Sequence, residues 1–313
     1  MAKSVMVTGA TGLLGRQVVT AFQRAGWDVV GTGFSRAKPP SILKVDLADR
    51  EQVEKVLTDN KVQVVVHCAA NRFPDKCDAD PDGARALNIE ASRALAEATQ
   101  TRSILLVYIS TDYVFPGNQG DAPYETDAPT APPNLYGQTK LDGERAILSV
   151  TEPTGLGVVL RVPVLYGPAE TPSESAVNVL LDTVWKAQEK NAKIKVDDWA
   201  IRYPTNTEDI GRVLVDVADR YSGAKDLAEL PKILQFSSED RYTKYEMCKL
   251  LSEIMALPID GLVGNREGND PTAAVQRPFD CHLSTKRLKD LQITLHTQNF
   301  EDWWKREVKA YKR

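Results

Sequence analysis

The sequence predicts an α/β fold, a doubly wound parallel sheet with a smaller, interleaved C-terminal lobe. Short apolar runs alternate with stretches of helical periodicity through the first half of the chain. The glycine-rich turn Thr8-Gly9-Ala10-Thr11-Gly12-Leu13-Leu14-Gly15 separates the first apolar run from the first helix. Tyr136 and Lys140, four residues apart, place a phenol and an ammonium on one face of a later helix.

Taken in order, Val5-Met6-Val7 reads as a strand, and residues 13–24 as a helix with Leu14, Val18, Val19 and Phe22 on one face. Strands are expected over 28–32 and 42–45, then a helix over 50–58. The β-branched run 62–68 suits a strand covered on both faces. A helix over 82–99, a strand over 104–110, a helix over 136–148 and a strand over 157–163 continue the rhythm. Beyond Tyr166 the pattern loosens: a Pro/Glu/Ser-rich loop at 167–175 precedes helices over 176–188, 207–221 and 243–256. The last of these is expected to be capped by Thr243, with Glu246 completing a capping box. Residues 232–236 read as a late strand returning to the main sheet. This divides the chain into a nucleotide-binding domain at 1–165, rejoined by 205–238, and a substrate or partner lobe made of 166–204 and 239–313. The aromatic and basic C-terminal end, with Trp303, Trp304 and Tyr311, reads as a helix packed on that lobe or as an interface.

The chain has 313 residues, 42% hydrophobic and 26% charged, which is the composition of an ordinary globular protein. Its 43 acidic against 39 basic residues supply no basic excess, so nucleic-acid binding is not expected. Cys68, Cys77, Cys248 and Cys281 form no CxxC pair and no metal-ligand spacing. A reduced, cytoplasmic protein with no metal site is the expectation. The first strand begins within a few residues of the start, so no signal peptide is expected, and no apolar run is long enough to span a bilayer.

Gly9, Gly12 and Gly15 suit a turn on which a dinucleotide pyrophosphate rests against backbone N–H groups and a helix N-terminus, as in Rossmann-type sheets. The second strand ends in Thr32-Gly33-Phe34-Ser35-Arg36, without the acid that would accept from a ribose 2′-hydroxyl. Arg36 can instead pair with a 2′-phosphate and Ser35 can donate to it, which favours NADP(H). Asp46 is placed against the adenine edge, and Ala69 and Ala70 keep bulk away from the cofactor. Thr8, Thr11, Leu13 and Leu14 of the glycine turn, with Phe34, Leu47, Cys68 and Arg161, complete the expected cofactor contacts.

Thr111, Tyr136, Lys140 and Asn88 form the expected catalytic set. In a carbonyl reduction Tyr136 would protonate the developing alkoxide and Thr111 would hold the substrate oxygen beside it. The Lys140 ammonium would favour the phenolate and reach the nicotinamide ribose, so Tyr136 and Lys140 also count as cofactor contacts. Asn88 would brace the lysine through a water relay. His67 lies within a strand pattern and reads as a satisfied core residue, and Cys68 and Cys281 read as inert.

These residues resemble the extended short-chain dehydrogenase/reductase superfamily over the whole chain. Ser110-Thr111-Asp112-Tyr113-Val114-Phe115-Pro116-Gly117 is similar to a signature of the dTDP-4-dehydrorhamnose reductases. A closer resemblance is to the regulatory beta subunits of methionine adenosyltransferase. It is carried by Gly33-Phe34-Ser35-Arg36-Ala37-Lys38-Pro39, Cys68-Ala69-Ala70-Asn71-Arg72-Phe73-Pro74-Asp75 and Asn134-Leu135-Tyr136-Gly137-Gln138-Thr139-Lys140. In the second lobe it rests on Glu174-Ser175-Ala176-Val177, Arg202-Tyr203-Pro204-Thr205, Thr243-Lys244-Tyr245-Glu246-Met247 and Ala274-Val275-Gln276-Arg277-Pro278. Arg161 is followed by Val162-Pro163-Val164 where the rhamnose enzymes carry Thr-Ser-Trp, which favours the regulatory group. That resemblance implies bound NADP(H) and the catalytic subunit of methionine adenosyltransferase as partner. The other implies a 4-keto sugar nucleotide reduced with NADPH, with Arg277 or Arg202 facing substrate phosphate or a partner acid. The regulatory family's inserted C-terminal tail is not expected here, because the sequence ends soon after Trp303-Trp304-Lys305-Arg306, and its longer N-terminal extension is not expected either.

Overall fold

The computed structural model describes residues 3–269 and 275–309. Ala274 and Tyr311, singled out above, lie outside the described residues.

β1 (Ser4–Thr8) leads through α1 (Leu13–Arg24) to β2 (Asp28–Gly33) and β3 (Ile42–Lys44). α2 (Arg50–Asp59) precedes β4 (Val64–His67), and α3 (Pro74–Ala79), α4 (Pro81–Arg85) and α5 (Ala91–Gln100) lead to β5 (Leu105–Thr111). α6 (Leu135–Thr151) feeds β6 (Gly157–Val162) and the short β7 (Leu165–Tyr166). Then follow α7 (Leu180–Lys186), β8 (Ile194–Asp197), β9 (Thr205–Asn206), α8 (Thr207–Ser222) and β10 (Ile233–Gln235). α9 (Lys244–Ile254), β11 (Leu262–Asn265), α10 (Lys286–Asp290) and α11 (Phe300–Glu307) complete the chain.

Seven strands form one parallel sheet in the order β10-β6-β5-β4-β1-β2-β3. Because β1 lies between β2 and β4, the winding reverses at its C-terminal end, where α/β sheets hold their ligands. Alternation along β1 sends Val5 and Val7 to one face and Met6 to the other. On the first face α1 and α8 pack Leu14, Val18 and Phe22 against Ile210, Val213 and Val217. On the second, α2 and α5 supply Val53 and Leu95. A separate cluster gathers Tyr166, Leu180, Val184, Met247, Leu251, Phe300, Trp303 and Trp304. Tyr166 lies edge-on to Phe300 and Trp303, with ring centroids 4.9 and 5.1 Å away. The C-terminal tryptophans are therefore core residues, 4% and 0% exposed.

The late strand does return to the sheet, with β10 pairing β6, and Thr243 and Glu246 form the expected capping box. Two helices differ from expectation. The predicted 82–99 helix is broken by a π-helical turn over Ala86–Glu90. The predicted 176–188 helix begins only at Leu180. Its first residues are held in a turn by the Ser175 hydroxyl, which accepts from the Val177 and Asn178 N–H groups and donates to the Leu165 carbonyl.

Candidate cofactor and catalytic site

A cavity of about 670 Å³ opens at the C-terminal ends of the central strands. At one end lies the glycine turn. Gly9 has φ +64°, and the Gly12 N–H donates to its carbonyl at 2.8 Å. A Cβ at Gly15 would stand 2.1 Å from the Gly9 oxygen, and one at Gly9 would stand 2.8 Å from the Ala69 nitrogen. Gly12 caps α1 without a side chain, so the first N–H groups of this helix stay available to an anion.

Beside the turn, Glu174 binds three arginines. Its carboxylate accepts from Arg16 Nη2 at 2.6 Å and Nη1 at 3.2 Å, from Arg36 Nη1 at 2.5 Å, and from the Glu170 N–H at 3.0 Å. Its carbonyl accepts from Arg72 Nη1 at 2.5 Å. Burial opposes ionisation of this carboxyl, but the arginine hydrogen bonds outweigh it and hold the group down at about 2. Arg16 also donates to the Thr11 carbonyl at 2.7 Å, which ties the network to the glycine turn.

At the other end stand the residues expected to do chemistry. α6 begins at Asn134, whose side chain accepts from the Gly137 N–H at 3.0 Å. Tyr136 occupies the first turn, and Lys140 follows one turn later, 2% exposed, with Nζ 3.8 Å from the centroid of the Tyr108 ring. Burial brings Lys140 down to about 7 and raises the Tyr136 phenol above its ordinary value, the Thr111 hydroxyl working the other way. Burial likewise lifts Asp112 to about 6. Its carboxylate accepts from the Thr111 hydroxyl at 3.0 Å. Ser110 lines the same cavity and is 2% exposed, and its buried hydroxyl has no hydrogen-bond partner. The glycine cradle fits a dinucleotide.

The cavity wall brings together Gly9, Thr11, Gly12, Leu13, Leu14, Gly15, Phe34, Ser35, Arg36, Asp46, Leu47, Cys68, Ala69, Ala70, Thr111, Tyr136 and Lys140. Three expected residues do not line it. Thr8 is fully buried, its hydroxyl 2.7 Å from His67 Nδ1 and accepting from the Ala69 N–H at 3.2 Å. Asn88 spends its amide on both backbone groups of Asn71 and on the Thr139 hydroxyl, so it braces the helix of Lys140 from behind. Arg161, expected to touch cofactor, is 2% exposed and makes a bidentate pair with Glu144 at 2.9 and 2.7 Å. It also donates to the Thr126 carbonyl at 3.1 Å, so its donors serve the core.

His67 is a satisfied core residue, bonded to Thr8 and to Ser92 and pushed down to about 3 by burial. Burial raises Cys68 to about 12. Arg277 pairs with Asp75 at 3.2 Å, and Arg202 spends Nη1 on the Ile201 and Pro278 carbonyls. Sequence reasoning missed Arg16, Arg72 and Glu174. Arg16 is signalled by its place directly after Gly15, whereas nothing in the loop around Glu174 marks it. Among the described residues no cluster of His, Cys, Asp or Glu could hold a metal ion, and no helix is long and apolar enough to cross a membrane.

The sequence matches the family described as RmlD substrate binding domain over residues 3–312. It is similar to methionine adenosyltransferase 2 subunit beta of Rattus norvegicus, 39% identical over 94% of this chain and 84% of that protein. It is also 39% identical to a dTDP-4-dehydrorhamnose reductase of Streptomyces griseus, over 52% of this chain and 50% of that one. A solved dTDP-4-dehydrorhamnose reductase of Bacillus anthracis, in complex with NADP, shares the fold with a TM-score of 0.79. It is 23% identical, over 99% of both chains.

Proposed function

This chain belongs to the RmlD substrate binding domain family, together with the methionine adenosyltransferase 2 beta subunits, and from that premise we propose that it is an NADP(H)-binding regulatory (beta) subunit of methionine adenosyltransferase. Its place is then in S-adenosylmethionine biosynthesis, in the cytoplasm, with the catalytic subunit as partner. The observation that carries this reading is the 39% identity over 94% of the chain, against 52% coverage by the reductase relative. NADP(H) over NAD(H) is supported by Ser35 and Arg36 on the cavity wall and by the lack of an acid at the end of β2. Residues 1–165 with 205–238 would form the nucleotide-binding domain, and 166–204 with 239–313 the partner lobe. Affinity capture of the tagged protein from its native extract with NADP+ present should recover a methionine adenosyltransferase in fixed stoichiometry. Recovery of the protein alone would remove this reading.

The second reading, an NADPH-dependent reductase of a 4-keto sugar nucleotide, is favoured by Thr111, Tyr136 and Lys140 lining one cavity. Bound NADPH would supply the hydride. Tyr136 keeps its proton at neutral pH and can give it to a carbonyl oxygen beside Thr111, while Lys140, at about 7, can take up or release a proton there. With such a substrate, Tyr136→Phe should lower NADPH oxidation at least about a hundredfold while cofactor affinity stays within a few-fold. Unchanged turnover would take Tyr136 out of the chemistry.

A further inference from the structure

The network around Glu174 joins three segments that the cofactor motif does not connect: Arg16 on α1, Arg36 beyond β2 and Arg72 beyond β4. The glutamate comes from a 3₁₀ turn, Pro172–Glu174, 138 positions from Arg36 in sequence. Every lone-pair direction of its carboxylate has a donor, and the Arg72 bond to its carbonyl fixes the backbone as well. Arg36 enters this network through Nη1 alone, contacting Glu174 at 2.5 Å and Glu170 at 3.7 Å. Its side chain remains 47% exposed on the cavity wall beside Ser35. The Nε and Nη2 edge of Arg36 is thus left free of these contacts, and that planar pair of donors matches two phosphate oxygens.

We propose that Glu174 is a positioning residue that sets cofactor specificity: by holding Nη1 of Arg36 it presents the remaining guanidinium edge to the 2′-phosphate of NADP(H). An arginine on an exposed loop loses rotamer freedom when it grips a ligand. Here the clasp removes that freedom beforehand. Arg16, Arg36 and Arg72 outnumber Glu170 and Glu174, so the mouth stays positive for a phosphate despite the carboxylates. The selectivity of the nucleotide site thereby depends on a residue from the loop that follows β7.

This inference rests on the NADP(H) reading of the site, and titration of the full chain with NADP+, NAD+ and 2′,5′-ADP, followed by calorimetry, separates the two. Wild type should prefer NADP+; equal affinities would sink the NADP(H) reading before any variant is made. Glu174→Ala should weaken NADP+ and 2′,5′-ADP by about tenfold or more while NAD+ stays within about twofold. Glu174→Gln, which keeps an acceptor for Arg36 without the charge, should fall between, with an unchanged thermal melt showing that it folds. Adding Glu174→Ala to Arg36→Ala should cost little beyond Arg36→Ala alone, because both act on one contact. Tighter NADP+ binding in Glu174→Ala would overturn the proposal, the carboxylate then being a competitor of the phosphate. Equal weakening of NADP+ and NAD+ would overturn it too, leaving Glu174 a purely structural clasp.

Discussion

The two ends of the cavity handle charge in opposite ways. At the glycine-turn end, Arg16 and Arg36 stay partly in water and Glu174 meets four donors, which hold its carboxyl down at about 2. At the chemical end burial prevails: Asp112 rises to about 6, Lys140 falls to about 7 and Tyr136 moves above its ordinary value. Each shift there favours the neutral form. One end therefore suits holding a fixed anion, and the other suits moving a proton near neutral pH.

Variants can break or sharpen this contrast. The largest effect is expected at Arg161 and Glu144, a fully compensated pair behind the chemical end, each side chain 2% exposed. Arg161→Met should cost about 3–5 kcal/mol in urea unfolding, because it strands a buried carboxylate. Adding Glu144→Leu should recover much of the loss. A single-variant cost under about 1 kcal/mol would show that this end tolerates bare charge, and the contrast would fail.

Next comes Gly15→Ala at the glycine-turn end. Its Cβ would meet the Gly9 carbonyl oxygen at 2.1 Å, backbone that cannot step aside without opening the turn. A loss of about 2–4 kcal/mol is expected, with NADP+ affinity down by about a hundredfold or more in calorimetry. Weakened stability with intact binding would mean that the turn does not hold the phosphates.

The smallest effect has the opposite sign. Lys140→Met removes an ammonium that the fold holds down at about 7 from 10.5. At and below pH 7 the wild type carries the full cost of burying that charge. Between pH 7 and 10.5 the unfolded chain binds a proton that the folded chain releases, so wild-type stability rises with pH. The variant should be more stable by on the order of 1–3 kcal/mol at pH 7 and below, the gain shrinking towards pH 10.5. Thermal melts across that range give the answer; a gain independent of pH would come from packing instead of charge.

What the sequence determined by itself is what short-range physics dictates. The β1–α1–β2 succession follows from side-chain period and glycine placement. Tyr136 and Lys140 share a helix face because a helix repeats near every fourth residue. Thr243 and Glu246 lie three apart, within reach of each other's backbone, so the capping box was legible too. What the sequence left unread involves partners chosen at a distance. Arg161 looked available to the cofactor until the strand order set it against Glu144 on α6. Asn88 sits in a π turn that no local pattern announces, and its amide is claimed by Asn71 and Thr139. Glu174 lies in a loop without periodicity and acquires meaning only when the fold closes 138 residues of chain onto Arg36. Tertiary structure decided these because a charged or amide group commits to whichever partner packing leaves beside it as water is excluded, and that partner is set by topology.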